Sequence, residues 1–143
     1  MARNCGKSVE KLDGIMKRLL APGGCPWDRE QTHETLLKHL FSEADEVRRA
    51  VKKGDWKNLE EELGDVLLQV VFHAELARRA GKFDLRDVVD GISEKLVRRH
   101  PHVFGGKKLA TAEEVLVQWN AIKKAEKKGK LPARKPAKRR TAR

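Results

Sequence analysis

Aromatic residues are scarce in this sequence, and several other features are missing. Tyrosine is absent, and aromatic residues make up 5% of the 143 positions, which disfavours a β-sandwich or β-barrel because strands are enriched in aromatics. The longest apolar run, from Val66 to Phe72, is interrupted by Gln69 and falls short of the roughly 18 residues of a membrane-spanning helix. The N-terminal residues contain no apolar signal core. We therefore expect a cytoplasmic protein.

Signatures of thiol and dinucleotide chemistry are also lacking. The two cysteines, Cys5 and Cys25, form no C-x-x-C pair, as is typical of a protein from a reducing compartment. The chain contains neither G-x-x-x-x-G-K-[ST] nor G-x-G-x-x-G. These absences argue against a disulfide scaffold, a Walker-type ATPase and a dinucleotide-binding fold.

The net charge of +11 is concentrated at one end of the chain. Residues 123–143 carry 11 lysines and arginines and one glutamate, whereas residues 1–122 carry 21 basic and 20 acidic residues. We therefore expect a nearly neutral domain, residues 1–128, followed by a disordered basic tail, residues 129–143. Such a tail is typical of a solubilising extension, and it also permits weak, non-specific contact with nucleic acids through their phosphate groups.

Apolar residues recur at helical spacing in five segments, and no segment alternates as a strand would. Thr32 is a candidate N-cap, Gly54 suits the end of the helix that Thr32 starts, and Thr111 and Glu114 have the spacing of a capping box. The short connection between the second and third helices favours an antiparallel pair. We predict an all-α helical bundle, with helices at about residues 7–20, 32–53, 55–80 and 85–99 and a fifth from residue 111 into the basic segment.

Prolines and glycines predict the breaks between these helices. Residues 21–31 contain two prolines and two glycines and are predicted to form a loop. Pro101 is predicted to end the fourth helix, because the residue before a proline disfavours the helical conformation. A further loop is expected from there to Thr111.

Two pairs of acidic residues mark the second and third predicted helices. Glu43 and Glu46 are three residues apart, as are Glu62 and Asp65, so each pair projects from one helix face. Both pairs border apolar stripes, and packing through those stripes would bring the four carboxylates together. Because converging carboxylates repel each other and oxygen ligands suit hard cations, the pattern indicates a Mg²⁺ or Mn²⁺ site. The same spacing also occurs on solvated helix faces. Neither acidic pair has the histidine that a di-iron site would need in its Glu-x-x-His motifs.

A basic cluster lies at the end of the fourth predicted helix. Lys95 and Arg99 are four residues apart, and Arg98 follows Lys95 by three. These residue types suit phosphate binding, although cations at a helix C-terminus also stabilise the helix dipole. Trp119 either stacks on a nucleobase or fills the core. Acidic and basic clusters together favour a ligand that carries phosphate groups and a divalent cation.

Five segments of the sequence resemble those of one enzyme family, the MazG nucleoside triphosphate pyrophosphohydrolases. They occur in the family's order and spacing and extend over about residues 8–128. The segments are GGCPWDREQT (23–32), SEADEV (42–47), EELGDVLLQVVFHAELA (61–77), KLVRRHPHVFGG (95–106) and VLVQWNAIKKAE (115–126).

The resemblance implies a fold, an activity and a set of site residues. It implies an all-α homodimer, or a higher even oligomer, that hydrolyses NTPs or dNTPs to monophosphates and pyrophosphate with bound Mg²⁺ or, as a substitute, Mn²⁺. The implied metal ligands, which are also catalytic, are Glu43, Glu46, Glu62 and Asp65. The implied triphosphate and base contacts are Lys95, Arg98, Arg99 and Trp119, with Lys95 also counted as catalytic.

One position departs from the family pattern. Ser42 stands where the family's E-E-x-x-E motif has its first glutamate, which leaves one fewer carboxylate near the expected metal. With Ser42, a nucleotide-binding regulatory module without catalysis stays open. Two further alternatives are a pyrophosphohydrolase that acts on a phosphoribosyl nucleotide and a protein that associates with nucleic acids through its tail.

Overall fold

The fold of the protein is all-α, as predicted. The computed structural model describes residues 4–129, and this part of the chain contains seven helices and no strand. Within these residues, no helix is long and apolar enough to cross a membrane. The helices are α1 (Cys5–Leu20), α2 (Pro26–Glu30), α3 (His33–Lys53), α4 (Trp56–Arg79), α5 (Leu85–Arg99), α6 (Pro101–Phe104) and α7 (Ala112–Lys127).

The five predicted helices correspond to α1, α3, α4, α5 and α7, but two short helices were missed. Helix α2 begins at Pro26, inside the predicted loop, and α6 begins at Pro101, where the sequence predicted only the end of a helix. The prediction of irregular structure was wrong at both places. Proline lacks an N–H and has a fixed φ, so it is compatible with the first turn of a helix although it breaks the interior of one.

The ends of α3 agree with the sequence signals. Thr32 Oγ1 accepts a hydrogen bond from the backbone N–H of Thr35 (3.2 Å), and the Thr35 hydroxyl oxygen accepts one from the N–H of Thr32 (2.8 Å). This reciprocal pair is a capping box with threonine in place of the usual glutamate. Gly54 ends α3 in the left-handed conformation, with a φ of 66°, which glycine adopts without strain. The chain therefore turns directly from α3 into α4.

The described residues divide into two compact units, the first ending at Leu85 and the second beginning at Arg86. In the first unit, α3 and α4 run antiparallel, because His33 near the start of α3 contacts His73 near the end of α4. Its core contains buried side chains from three helices. They are Met16 and Leu20 of α1, Leu36 of α3, and Val71 and Phe72 of α4.

The apolar residues that recur at helical spacing along α3 and α4 are not all buried. Leu36 and Ala74 are buried, but Val51, Leu63 and Val70 are exposed. Helix α4 carries apolar residues on more than one face, and its buried positions include Val71 and Phe72 instead. An apolar pattern identifies the helix, but it does not specify which of two apolar faces contacts the core.

The second unit contains α6, α7 and α5 from Arg86 onward. Thr111 Oγ1 accepts a hydrogen bond from the N–H of Glu114 (3.2 Å), as the capping pattern predicted. The Glu114 carboxylate, however, accepts its bond from the N–H of Ala110 (2.8 Å), one residue earlier than in the standard capping box. Of the predicted basic tail, residues 130–143 lie outside the described part of the chain.

Candidate functional site

A cluster of three carboxylates lies in the first unit. Glu43 on α3 and Glu62 and Asp65 on α4 each contribute one carboxylate oxygen, and these oxygens lie within 4.8 Å of one another. The i, i+3 spacing places Glu62 and Asp65 on one face of α4, and the antiparallel packing of α3 and α4 brings Glu43 beside them. All three side chains are half-buried. We call these residues the carboxylate triad.

The electrostatics of the triad favour the binding of a cation. Burial raises the pKa of Glu62 above its ordinary value, and the negative charges of Glu46, Asp65 and Glu43 raise it further, in that order. A raised carboxyl pKa means that the negative form is disfavoured where it stands. A divalent cation among these oxygens would remove that repulsion.

Glu46, the fourth predicted ligand, lies outside the triad. Its Oε1 accepts a hydrogen bond from Arg49 Nη1 at 2.8 Å, and Arg49 Nη2 also contacts Asp45 Oδ2 at 2.9 Å. Glu46 nevertheless exerts the largest electrostatic effect on Glu62 of any charged residue. The structure thus brings three of the four predicted ligands together, while the fourth remains electrostatically coupled to them and forms an ion pair with Arg49.

The donor set of the triad limits which metals it could hold. Each of the three residues offers carboxylate oxygen, and no cysteine or histidine belongs to this group. Hard cations such as Mg²⁺ and Mn²⁺ prefer oxygen ligands. The triad therefore fits the kind of ion that the sequence indicated.

The predicted phosphate-binding arginines form a second cluster, in the second unit, around a glutamate of α7. Arg98 Nε donates to Glu126 Oε1 at 2.8 Å. Arg99 donates from Nη2 to Glu126 Oε2 at 2.8 Å and from Nε to Oε1 at 3.5 Å. The hydrogen bonds from Arg99 first and Arg98 second lower the pKa of Glu126 to about 2, so its carboxylate is ionised at any ordinary pH.

The aromatic ring of Trp119 belongs to the same cluster. The Arg99 guanidinium carbon lies 5.1 Å from the centre of the Trp119 ring, within the range of a cation–π contact. The His100 ring meets Trp119 edge-on, with ring centres 5.1 Å apart. Trp119 is half-buried, so both roles considered from the sequence, packing and stacking, are compatible with its position. Lys95 is half-buried one turn before Arg99 on α5.

Sequence reasoning missed Glu126. It counted this residue only as the one acidic side chain in a basic terminal segment, whereas the structure places it against two arginines that lie 28 and 27 positions earlier in the chain. The one available signal was its position in the VLVQWNAIKKAE segment, seven residues after Trp119. We call Arg98, Arg99, Trp119 and Glu126 the arginine cluster.

Comparison with known proteins agrees with the resemblance seen in the sequence. Residues 31–104 match the MazG nucleotide pyrophosphohydrolase domain. The chain is 44% identical over 138 residues to a Thermotoga maritima protein named nucleoside triphosphate pyrophosphohydrolase/pyrophosphatase MazG, covering 94% of this chain and 54% of that protein. It is 45% identical over 120 residues to an Escherichia coli nucleoside triphosphate pyrophosphohydrolase, covering 83% of this chain and 46% of that one. The chain thus spans about half the length of these two relatives.

A solved structure shares the fold. The crystal structure of a mazG-related protein from Thermotoga maritima superposes with a TM-score of 0.68 at 40% sequence identity. The match covers 80% of this chain and 98% of the crystallised one. At this level of identity and coverage, the likeness extends to the sequence as well as to the arrangement of the helices.

Proposed function

The chain belongs to the MazG nucleotide pyrophosphohydrolase family, and we propose that it hydrolyses nucleoside triphosphates to monophosphates and pyrophosphate with the help of a divalent metal ion. The observation that carries this proposal is the carboxylate triad, whose three oxygens lie within 4.8 Å of one another. The relatives named above as nucleoside triphosphate pyrophosphohydrolases support the same reaction.

Glu43, Glu62 and Asp65 are the proposed metal ligands, and Glu46 is the proposed fourth after its release from Arg49. The all-oxygen set favours Mg²⁺, with Mn²⁺ as a substitute. A bound Mg²⁺ would neutralise phosphate oxygens and activate water for attack. The raised pKa of Glu62 supports a cation at this position. The three ligand side chains are all carboxylates that repel one another, and a bound cation would offset that repulsion.

The reaction is a displacement at the α-phosphorus. A water oxygen forms a bond to that phosphorus, the bond to the bridging oxygen of the β-phosphate breaks, and pyrophosphate leaves with the bonding electrons. The water loses its proton to a neighbouring base, for which we propose the Glu43 carboxylate. Such a base must lie within hydrogen-bond reach of the water it deprotonates.

The basic residues are proposed to contact the triphosphate. Lys95 supplies a compact charge and Arg98 and Arg99 supply planar forks that match phosphate geometry. Trp119 is proposed to contribute to nucleotide binding through its ring. The contact between Arg99 and Trp119 supports this, because it places a cation and an aromatic ring side by side.

We propose a homodimer that forms through an exposed apolar face on the first unit. Helix α3 exposes Leu37 and Phe41, and α4 exposes Leu63, Leu67 and Val70, with the spacing of four and three residues that is typical of helix–helix seams. Phe41 is 70% exposed. Monomeric proteins rarely expose several large apolar side chains together, so such a group is typical of an interaction site.

The proposed reaction is tested by measuring pyrophosphate release from a panel of NTPs and dNTPs, with a phosphoribosyl nucleotide included. We expect Mg²⁺-dependent release by the wild type and a loss of at least about hundredfold in Glu62→Gln, because metal-based charge stabilisation contributes several kcal/mol to catalysis. Glu60→Gln is the matched control, since it removes the same charge from an exposed position on the same helix. Full activity of Glu62→Gln would eliminate the triad as the active centre.

A second candidate is a module that binds Mg-NTP without cutting it. Two observations favour it: Ser42 replaces a family glutamate, and Glu46 is held by Arg49. The same assay separates the candidates. Nucleotide binding by calorimetry without pyrophosphate release from any substrate would establish the binding module and reject the enzyme.

A further inference from the structure

The arginine cluster contains a residue whose role follows from its contacts. We propose that Glu126 is a positioning residue that holds Arg98 and Arg99 together in the orientation in which they bind the phosphate groups of the nucleotide. The inference rests on the proposed function, since it concerns how the proposed phosphate contacts are arranged. It assigns a role to a side chain that touches the arginines and acts through them.

Helix geometry shows why such a residue is needed. Arg98 and Arg99 are consecutive on α5, and consecutive helical side chains diverge by about 100° because a turn contains 3.6 residues. Their positive charges also repel each other. Both guanidinium groups nevertheless contact one carboxylate, Arg98 at 2.8 Å and Arg99 at 2.8 Å. Glu126 therefore opposes both the divergence and the repulsion.

The side of each guanidinium group that contacts Glu126 determines which N–H groups point towards a ligand. Arg98 uses its Nε–H, and Arg99 uses its Nε–H and Nη2. A guanidinium has five N–H donors, and its Nη1 and Nη2 groups form a fork at the end opposite the side-chain stem. The carboxylate thus contacts the Nε side of each arginine, and in Arg99 it also accepts from one N–H of Nη2. The N–H groups directed away from the carboxylate are those of Nη1 and the second N–H of Nη2. A fork of this kind binds two oxygens of a phosphate at once.

Arg99 is fixed more firmly than Arg98. Its side chain is 12% exposed, that of Glu126 is 19% exposed, and Trp119 contacts the guanidinium through its ring. A planar group held at its Nε edge by a carboxylate and against an indole ring loses little conformational freedom when a ligand arrives. Such preorganisation strengthens binding by reducing the entropy lost on association.

The contacts allow two other roles for Glu126, and each makes a different prediction. As a purely structural link between α5 and α7, it would affect stability and leave affinity for phosphate unchanged. As a competing anion, it would occupy the arginines, and its removal would strengthen phosphate binding. Of the three roles, only positioning predicts that removal of the Glu126 charge weakens phosphate binding.

The test uses Glu126→Gln, which keeps the size of the side chain and removes its charge. The probe is inorganic tripolyphosphate with Mg²⁺, measured by calorimetry, together with KM and kcat for the best nucleotide. We expect roughly tenfold weaker tripolyphosphate binding and a similar rise in KM with kcat nearly unchanged, the pattern of a lost binding contribution. Glu113→Gln, an exposed change of the same type on α7, should alter neither quantity.

Glu126→Asp provides the second variant, because it keeps the charge on a shorter side chain and should bind tripolyphosphate with intermediate affinity. If Glu126→Gln does not fold, Glu126→Asp tests the inference instead. Wild-type affinity of Glu126→Asp for tripolyphosphate would then overturn it. Unchanged or tighter binding by a folded Glu126→Gln would overturn it as well, as would a wild type that does not bind tripolyphosphate. A wild type that binds tripolyphosphate but releases no pyrophosphate from nucleotides would reject the proposed reaction and leave the positioning role supported by the affinities.

Discussion

Single charges around the carboxylate triad set how strongly it can hold a cation. The repulsion among Glu62 and its acidic neighbours favours a metal ion, as the raised pKa of Glu62 indicates. Arg49 disfavours a metal ion here, because its positive charge forms ion pairs with Glu46 at 2.8 Å and with Asp45 at 2.9 Å. The position of Glu46 outside the triad thus has a local electrostatic cause.

Removal of the Arg49 charge should strengthen metal binding. In Arg49→Gln, Glu46 loses its partner and the site loses a nearby positive charge, so we expect Mn²⁺ to bind about three- to tenfold more tightly, a change of roughly 1 kcal/mol that is typical of a partly exposed charge pair. The measurement is a Mn²⁺ titration followed by electron paramagnetic resonance. Arg48→Gln is the control, because Arg48 forms its ion pair with Asp45, at 2.6 Å. Equal Mn²⁺ affinity in the two variants would show that Arg49 does not restrain Glu46.

At the scale of the helices, a histidine pair connects the start of α3 to α4. The Nδ1 atoms of His33 and His73 lie 2.7 Å apart and the rings are nearly parallel, at 15°. A contact of this length requires that one nitrogen donate and the other accept, so it cannot persist when both rings are protonated. Burial first, and the charge of His33 second, hold the pKa of His73 below its ordinary value of 6.5.

The histidine pair should make stability depend on pH. Because the pKa of His73 is lower in the folded state, the unfolded chain binds a proton more readily once the pH falls through 6.5. The free energy of unfolding therefore decreases with acidification below that value and is fully recovered above it. We expect the melting temperature to fall between pH 7.5 and 5.5, and to fall less in His73→Gln. Calorimetric scans across this range measure how steeply the melting temperature changes with pH in the wild type and in His73→Gln. Equal changes in the two proteins would contradict the assignment to His73.

Local signals in the sequence predicted most of these helices, while contacts between distant residues were harder to foresee. The apolar spacing and the Thr32 cap predicted α3 correctly, because both depend on neighbouring residues. Leu63 belongs to the apolar residues at helical spacing on α4, yet it is exposed, because tertiary packing decides which apolar face contacts the core. For the same reason, the pairing of Glu46 with Arg49 and of Glu126 with Arg98 was not predicted: charged side chains have several partners within reach, and the sequence alone does not rank them.

At the scale of the whole molecule, the exposed apolar face of the first unit has consequences for assembly. Leu37, Phe41, Leu63, Leu67 and Val70 are all exposed to water, and removal of apolar surface from water favours association. The exposed leucines and valine of α4 repeat at intervals of four and three residues, as in helices that pack against a second copy. A second copy of the chain is therefore the proposed occupant of this face.

A charge on this face should separate the subunits. Phe41 is 70% exposed within one chain, so Phe41→Lys should leave the helix content unchanged while it places an unpaired cation in the proposed interface. We expect dimerisation weakened by roughly thirtyfold or more, the loss typical of a buried aromatic contact at an interface. Sedimentation equilibrium measures the association, and circular dichroism checks the folding. Lys52→Glu, an exposed charge reversal at the far end of the same helix, should dimerise as the wild type does. A wild type that is monomeric at all concentrations, or a Phe41→Lys variant that associates normally, would contradict a homodimer through this face.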